Sequence, residues 1–232
     1  MIGIIGAMEE EVAGLKAHMQ DVKTEERAGM VFYTGTLCGK ECTVVCSGIG
    51  KVNAAACAQI LADRFGVSMI MNTGIAGGLH EEVNVGDIVL STDAVQHDMD
   101  CVGFGYAPGV IPRMKESFFR AAPELVDLAE QCCREENTEI GVFRGRVASG
   151  DCFVSSAQKK AEIREKFDAW CCEMEGAAIA QTAYLNGLPW IIIRAISDKA
   201  DGTAAEQYDR FQDEAIGHFL KLTLAMVGKL GF

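Results

Sequence analysis

The sequence predicts an α/β fold built on a largely parallel sheet covered on both faces. Three observations carry that expectation. Short apolar runs bounded by glycine alternate with stretches of helical periodicity from the first residues to the last. That β-α-β order needs crossover connections, which set neighbouring strands parallel. Several apolar runs also end in glycine or charged groups, as in open sheets whose ligands lie beyond the strand carboxyl ends.

Ile2-Gly3-Ile4-Ile5 reads as a buried strand closed by Gly6, and a helix follows from about Met8 to His18 with Val12, Leu15 and Met19 on one stripe. Phe32 to Leu37 and Cys42 to Cys46 read as strands joined in a hairpin at Gly39-Lys40. Residues 52–64 are Ala-rich and helical, and Met69-Ile70-Met71 is a strand entering a turn from Asn72 to Gly78. Gly86-Asp87 leads into the strand Ile88-Val89-Leu90. Glycine and proline with few periodic apolars mark Asp98 to Pro112 as a long loop, a class of segment disproportionately tied to function. Helix resumes over residues 122–136, and residues 142–148 form a strand ending at Ser149-Gly150-Asp151. Trp170 to Met174 is extended and Gly176 to Leu185 helical, with Asn186-Gly187 as the stop. Pro189 precedes the strand Trp190 to Ile196, and the last 25 residues form an amphipathic helix against the sheet. The expected organisation is one domain over residues 1–232.

Composition narrows the function classes. Of 232 residues, 49% are hydrophobic and 23% charged, ordinary for a globular enzyme. Lys and Arg total 21 against 33 Asp and Glu, a net charge of −12 that works against polyphosphate backbones and anionic lipid. The densest basic spot is Lys159-Lys160, so nucleic acid is not an expected partner. No run approaches the ~18 apolar residues of a membrane span. The start, Met1 to Met8, lacks the pattern of a signal peptide, and the expected address is the cytoplasm.

Ten cysteines raise the question of disulfides or metal. Disulfide scaffolds are short and small-cored, unlike this chain. Cys38, Cys42 and Cys46 recur every four residues, but on a strand-and-turn backbone that spacing does not bring side chains together. Cys132-Cys133 and Cys171-Cys172 are adjacent pairs, and no CxxC occurs. The thiols are expected to be reduced and used as small hydrophobes, with no metal site.

Four apolar runs end in chemically loaded groups: Met8-Glu9-Glu10-Glu11, Asn72 to Gly78, Glu173-Met174-Glu175 and Arg194-Ala195-Ile196-Ser197-Asp198. Acidic residues in a first helical turn also suit the macrodipole. Helical phase places Glu10 opposite the apolar stripe, in solvent, and leaves Glu9 and Glu11 flanking it, so phase alone does not choose between them. The glycine run lets backbone approach a ligand closely, yet it matches neither GxGxxG nor the P-loop and also suits a tight turn. On a strand, Glu173 and Glu175 share one face and Met174 takes the other, toward a ligand or a solvated edge. Arg194 and Asp198 close an apolar strand, where burial demands pairing with each other or with a ligand.

Together these segments resemble the nucleoside phosphorylase and hydrolase superfamily, most closely its 5′-methylthioadenosine/S-adenosylhomocysteine nucleosidases. The resemblance rests on Gly3 to Glu11, Ser47-Gly48-Ile49-Gly50-Lys51, Asn72 to Gly78, Ser149-Gly150-Asp151, Glu173-Met174-Glu175 and Arg194 to Asp198, six motifs in the family's order. It implies a three-layer α/β/α fold with a central mixed, largely parallel sheet. The implied activity is hydrolysis of the N-glycosidic bond of 5′-thio-substituted adenosines, without metal or organic cofactor, in a homodimer.

Such cleavage puts positive charge on the ribosyl ring and negative charge on the departing base. The resemblance assigns protonation of adenine to Asp198 and activation of the attacking water to Glu11. It gives Glu175 the ribose hydroxyls, packs Met174 against the sugar, and has Ser197 position Asp198 while Arg194 supports the carboxylates. Phe153 and the Val154 backbone correspond to the adenine sandwich, with Ile75, Ala76 and Gly77 at the glycine turn. Met8, Ile49 and Tyr208 line the 5′ pocket, and Phe104 and Pro112 cap it from the neighbouring subunit. Two departures bear on substrate preference: Ile75 stands where many relatives have Ser, and Tyr208 where Phe is common.

Competing readings share much of this machinery. A phosphorylase needs cations around phosphate, whereas the first turn here carries three glutamates. Nucleosidases for futalosine-type or 5′-deoxyadenosine substrates share the carboxylates. A non-catalytic adenosine-ligand sensor predicts a missing acid or base, yet Glu11, Glu175 and Asp198 are all present.

Overall fold

In the computed structural model, which describes residues 1–231, the apolar runs become strands of one ten-stranded sheet. The strands are β1 (Ile2–Gly6), β2 (Gln20–Arg27), β3 (Met30–Leu37), β4 (Lys40–Cys46), β5 (Met69–Gly78), β6 (Ile88–Gln96), β7 (Phe118–Arg120), β8 (Val142–Ser149), β9 (Ala169–Glu173) and β10 (Trp190–Asp198). The helices are α1 (Glu9–His18), α2 (Lys51–Arg64), α3 (Pro123–Glu136), α4 (Ala157–Phe167), α5 (Gly176–Leu185) and α6 (Ala204–Lys229). Phe232, the end of the expected terminal helix, lies outside the described residues. Among the described residues no helix is long and apolar enough to cross a membrane.

The sheet is mixed, as expected. β4, β1, β5 and β10 run parallel in that order, and so do β6, β8 and β9. The two groups meet antiparallel twice, where β10 pairs with β6 and where β9 pairs with the end of β5. Those pairings close β5, β10, β6, β8 and β9 into a ring, from which β1, β4, β3 and β2 extend as an open sheet. β1, β5 and β10 are buried along their whole length, which explains their near-continuous apolar sequences. Burying each large aliphatic side chain there contributes about 1.5–3 kcal/mol.

Several expectations are corrected. Asn72 to Gly78 is not a turn: β5 continues through it, because β1 supplies partners to Asn72 and β10 to residues as far as Gly77. The hairpin loop is Cys38-Gly39 rather than Gly39-Lys40, both with positive φ (49° and 78°) as a two-residue turn between twisted strands requires. Glu173 and Glu175 do not share a strand face, since β9 stops at Glu173 and Glu175 is the N-cap of α5. The polar edge strand β2, the short β7 and the charged helix α4 were not foreseen.

Candidate active site

The carboxyl ends of β1, β5, β9 and β10 surround a cavity of about 480 Å³ whose wall includes Met8, Glu11, Ile49, Ile75, Ala76, Gly77, Phe153, Met174, Glu175, Arg194, Ser197, Asp198 and Tyr208. Val154 lines a smaller adjoining cavity of about 40 Å³ together with Phe153, Met174 and Asp198. Phe104 and Pro112 are absent from both walls, and Phe104 is 86% exposed.

Glu11 reaches the cavity because it also closes the start of α1. The N-cap of α1 is Met8, which makes no side-chain capping hydrogen bond, and Glu11 Oε2 accepts from the Ala7 and Met8 amides at 2.7 and 3.0 Å. Its Oε1 accepts from the Ile75 amide of β5 at 3.0 Å. Glu9 is exposed and pairs with Lys16 on the outer face, so the choice left open by helical phase falls to Glu11. Burial raises the Glu11 carboxyl above its ordinary value, against the downward pull of Arg194 and these amides.

Arg194 is 1% exposed in the middle of β10. It donates to Glu173, to Asn72 Oδ1 at 2.5 Å and to the Ile75 carbonyl at 3.3 Å, and lies 3.9 Å from Glu175. Asn72 donates in turn to the Ile5 carbonyl, tying the arginine to β1. Gly74 is opposite Arg194 in the ladder, and a Cβ there would collide with both the guanidinium and the Glu11 carboxylate. Glycine is therefore a steric requirement at this position.

Glu173 takes part in this network although its sequence role was not foreseen. It accepts from Ser149 Oγ and, through Oε2, from the Glu175 and Gly176 amides at 3.1 and 2.7 Å. It thereby caps α5 and anchors Arg194, and the cavity wall includes it along with Ala7, Cys172, Ala205 and Asp209. Two glutamates flanking Met174, straddling a strand end and a helix start, were the available signal. Glu175 accepts from the Gly50 amide at 2.8 Å. Burial, then Glu173, pushes its carboxyl up to about 7.

Asp198 stands at the other side. Its Oδ2 accepts from Ser197 Oγ at 2.8 Å and its Oδ1 from the Ala200 amide at 2.7 Å. Burial raises this carboxyl too, outweighing both hydrogen bonds. The Tyr208 hydroxyl donates to Met8 Sδ at 3.2 Å, and its ring meets Phe153 edge-on at a centroid distance of 6.4 Å. Ile75 serves the site through its amide and carbonyl, contacts that survive the exchange of its side chain.

All ten cysteines are free thiols, and burial pushes Cys42 up to about 12 and Cys133 up to about 11. Among the described residues no three His, Cys, Asp or Glu side chains are arranged to hold a metal ion.

The geometry matches known proteins along the whole chain. A family model described as the phosphorylase superfamily matches residues 1–228. A 5′-methylthioadenosine/S-adenosylhomocysteine nucleosidase of Bacillus cytotoxicus is 43% identical over 230 residues, 99% of either chain. The Neisseria meningitidis nucleosidase of that name, solved with methylthio-immucillin-A, superposes with a TM-score of 0.95 at 38% identity and 99% coverage of both chains. A futalosine hydrolase of Helicobacter pylori gives 0.93 at 33% identity, covering 99% of this chain and 97% of its own. With fold, strand-end carboxylates and full-length identity in agreement, the chain belongs to the phosphorylase superfamily, in its branch of 5′-methylthioadenosine/S-adenosylhomocysteine nucleosidases.

Proposed function

We propose that the chain, acting as one catalytic domain, hydrolyses the N-glycosidic bond of 5′-methylthioadenosine and S-adenosylhomocysteine. The products are adenine and 5-methylthioribose or S-ribosylhomocysteine. The observation that carries this reading is a charge imbalance: one buried cation, Arg194, stands among the buried carboxylates Glu11, Glu173 and Glu175. Burial raises the carboxyls of both Glu11 and Glu175, and for Glu175 the neighbouring Glu173 adds to it. A ribosyl ring acquiring positive charge supplies the missing cation, so the cluster binds the transition state better than the neutral substrate.

In this reading Glu11 takes the proton of the attacking water, and the Ile75, Ala7 and Met8 amides fix its orientation. Glu175 accepts hydrogen bonds from the ribose hydroxyls, and Arg194 pairs with Glu173 and lies beside Glu175. Asp198, whose carboxyl burial raises above its ordinary value, gives a proton to the leaving base, most naturally at N7. The ring of Phe153 and the backbone of Val154 flank the base. Met8, Ile49 and Tyr208 receive the 5′ group.

Phosphorolysis fits less well, because Arg194 is the single Lys or Arg on the cavity wall and its guanidinium is committed to Glu173, Asn72 and Ile75. Futalosine-type and 5′-deoxyadenosine substrates would use the same carboxylates and are to be ranked beside methylthioadenosine. The deciding experiment follows adenine released from methylthioadenosine with and without phosphate. Equal rates and free methylthioribose support the proposal; strict phosphate dependence with a ribose-1-phosphate product overturns it.

We further propose a homodimer in the cytoplasm serving methionine salvage. Phe104, Val52 and Leu185 are large apolar side chains left exposed, which contact with a second copy would cover. Phe104 and Pro112 would then cap the partner's 5′ pocket, consistent with their absence from their own.

A further inference from the structure

Lys51, Asp98 and Asp151 close a ring of hydrogen bonds across the ends of β4, β6 and β8. The Lys51 amide donates to Asp151 Oδ1 at 2.8 Å, and the Asp151 amide donates to Asp98 Oδ2 at 3.0 Å. The Lys51 ammonium completes the ring at Asp98 Oδ1, 2.6 Å away, and reaches Gln96 Oε1 at 3.0 Å. Against the upward push of burial, Lys51 and the Asp151 amide hold Asp98 below the usual carboxylate range. His97 and Lys159 also bear on this corner.

The residue before Lys51 is Gly50, whose amide donates to Glu175. In the segment leading to it Gly48 and Gly50 both have positive φ (81° and 97°), a conformation open to glycine without steric cost. The Ser47 amide ties that segment to the Gly6 carbonyl, and the Asn53 side chain donates to the Ile49 carbonyl. A Cβ on Gly50 would lie 3.2 Å from Asp151 Oδ1, so the clasp packs directly on the loop it holds.

We propose that Lys51, Asp98 and Asp151 are positioning residues for the sugar end of the site, clamping the 47–51 loop so that the Gly50 amide orients and stabilises the Glu175 carboxylate. The inference rests on the reading of Glu175 as the acceptor for the ribose hydroxyls. The charged groups that bear most on Glu175 are Glu173 from β9, Arg194 from β10 and Glu11 from α1. The clasp acts through the amide, and two substitutions of opposite charge therefore have the same effect.

The test is the pH dependence of adenine release from methylthioadenosine by full-length Lys51→Met and Asp151→Ala variants. Losing a hydrogen bond to a charged acceptor is expected to lower kcat/KM about tenfold to a hundredfold in both. With the amide gone, Glu175 takes up its proton at higher pH, so the acid limb moves up in both variants, by up to about one unit. Limbs moving in opposite directions would mean that the clasp acts by its charge alone, and unchanged profiles that it does not act; either overturns the proposal. In a Glu175→Gln background the Lys51→Met loss should vanish, whereas a full additional loss would mark general destabilisation and also overturn it. Lys51→Arg, which keeps a donor within reach of Asp98, should restore the limb, and it serves with Asp98→Asn as the readout if the first pair folds poorly. Wild-type chain releasing no adenine would instead count against the reaction assigned above.

Discussion

At the scale of single residues the site is a problem in proton placement. Glu11, Glu175 and Asp198 are all pushed above their ordinary values by burial, and the proposed mechanism uses the first two ionised and the third protonated. Glu11→Gln and Asp198→Asn are each expected to lower kcat by roughly 10²–10⁴-fold, the usual yield of a general base or acid. Single-turnover kinetics at saturating methylthioadenosine checks this, and near-full activity in either variant removes that residue's role. Glu175 links activity to stability. Its carboxyl rises from 4.5 to about 7 on folding, so the folded state binds that proton more tightly than the unfolded chain. Ionising it costs the fold progressively as pH climbs from 4.5 through 7, reaching on the order of 3 kcal/mol above that window. Glu175→Gln should therefore melt higher than the wild-type chain at pH 8, with the difference shrinking toward pH 5, while losing activity. Equal melting temperatures at both pH values would show that Glu175 is not held against its ionisation.

At the scale of elements, the strands that carry the chemistry were the most legible. The runs beginning at Ile2, Met69 and Trp190 are apolar because both faces are buried, and such strands announce themselves. What a local pattern leaves out is the partner. Asn72 to Gly78 reads as a turn until β1 and β10 provide its ladder, and Glu9 and Glu11 are equivalent until β5 presents the Ile75 amide to one of them. Strand β2 and helix α4 were invisible for a related reason: β2 is exposed along nearly its whole length, and α4 buries only Ile163 and Phe167. Glu173 was legible as part of a motif but not as the cap of α5, since that role needs the strand end and the helix start in one frame. Gly74 shows how tightly two elements can be registered. Gly74→Ala should reduce kcat/KM about a hundredfold and cost about 1–3 kcal/mol, because overpacking displaces Arg194 and Glu11 together. Melting and steady-state assays of the one variant read both effects, and an alanine tolerated without loss would mean that the arginine and Glu11 have room to move.

At the scale of the molecule, the proposed second copy makes a direct prediction. Phe104→Asp is expected to shift sedimentation from dimer to monomer and to raise KM for methylthioadenosine more than it lowers kcat. A dimer of unchanged affinity would place the contact elsewhere. The ring of β5, β10, β6, β8 and β9 has a consequence for how such a chain is made. β5 ends at Gly78 and its neighbour β10 at Asp198, so during synthesis one side of β5 stays open until the last sixth of the chain emerges. At synthesis rates of about 5–20 residues per second that is a wait of roughly ten seconds with an apolar strand edge exposed. A nascent chain of this design has more to gain from a holding chaperone than one whose strands pair in order. The segment that closes the ring also brings Arg194 and Asp198, so a prematurely terminated product would carry Glu11 and Glu175 without cation or acid. Completion of the ring and onset of catalysis are then one event, and partial translation products should be inert toward adenosine thioethers.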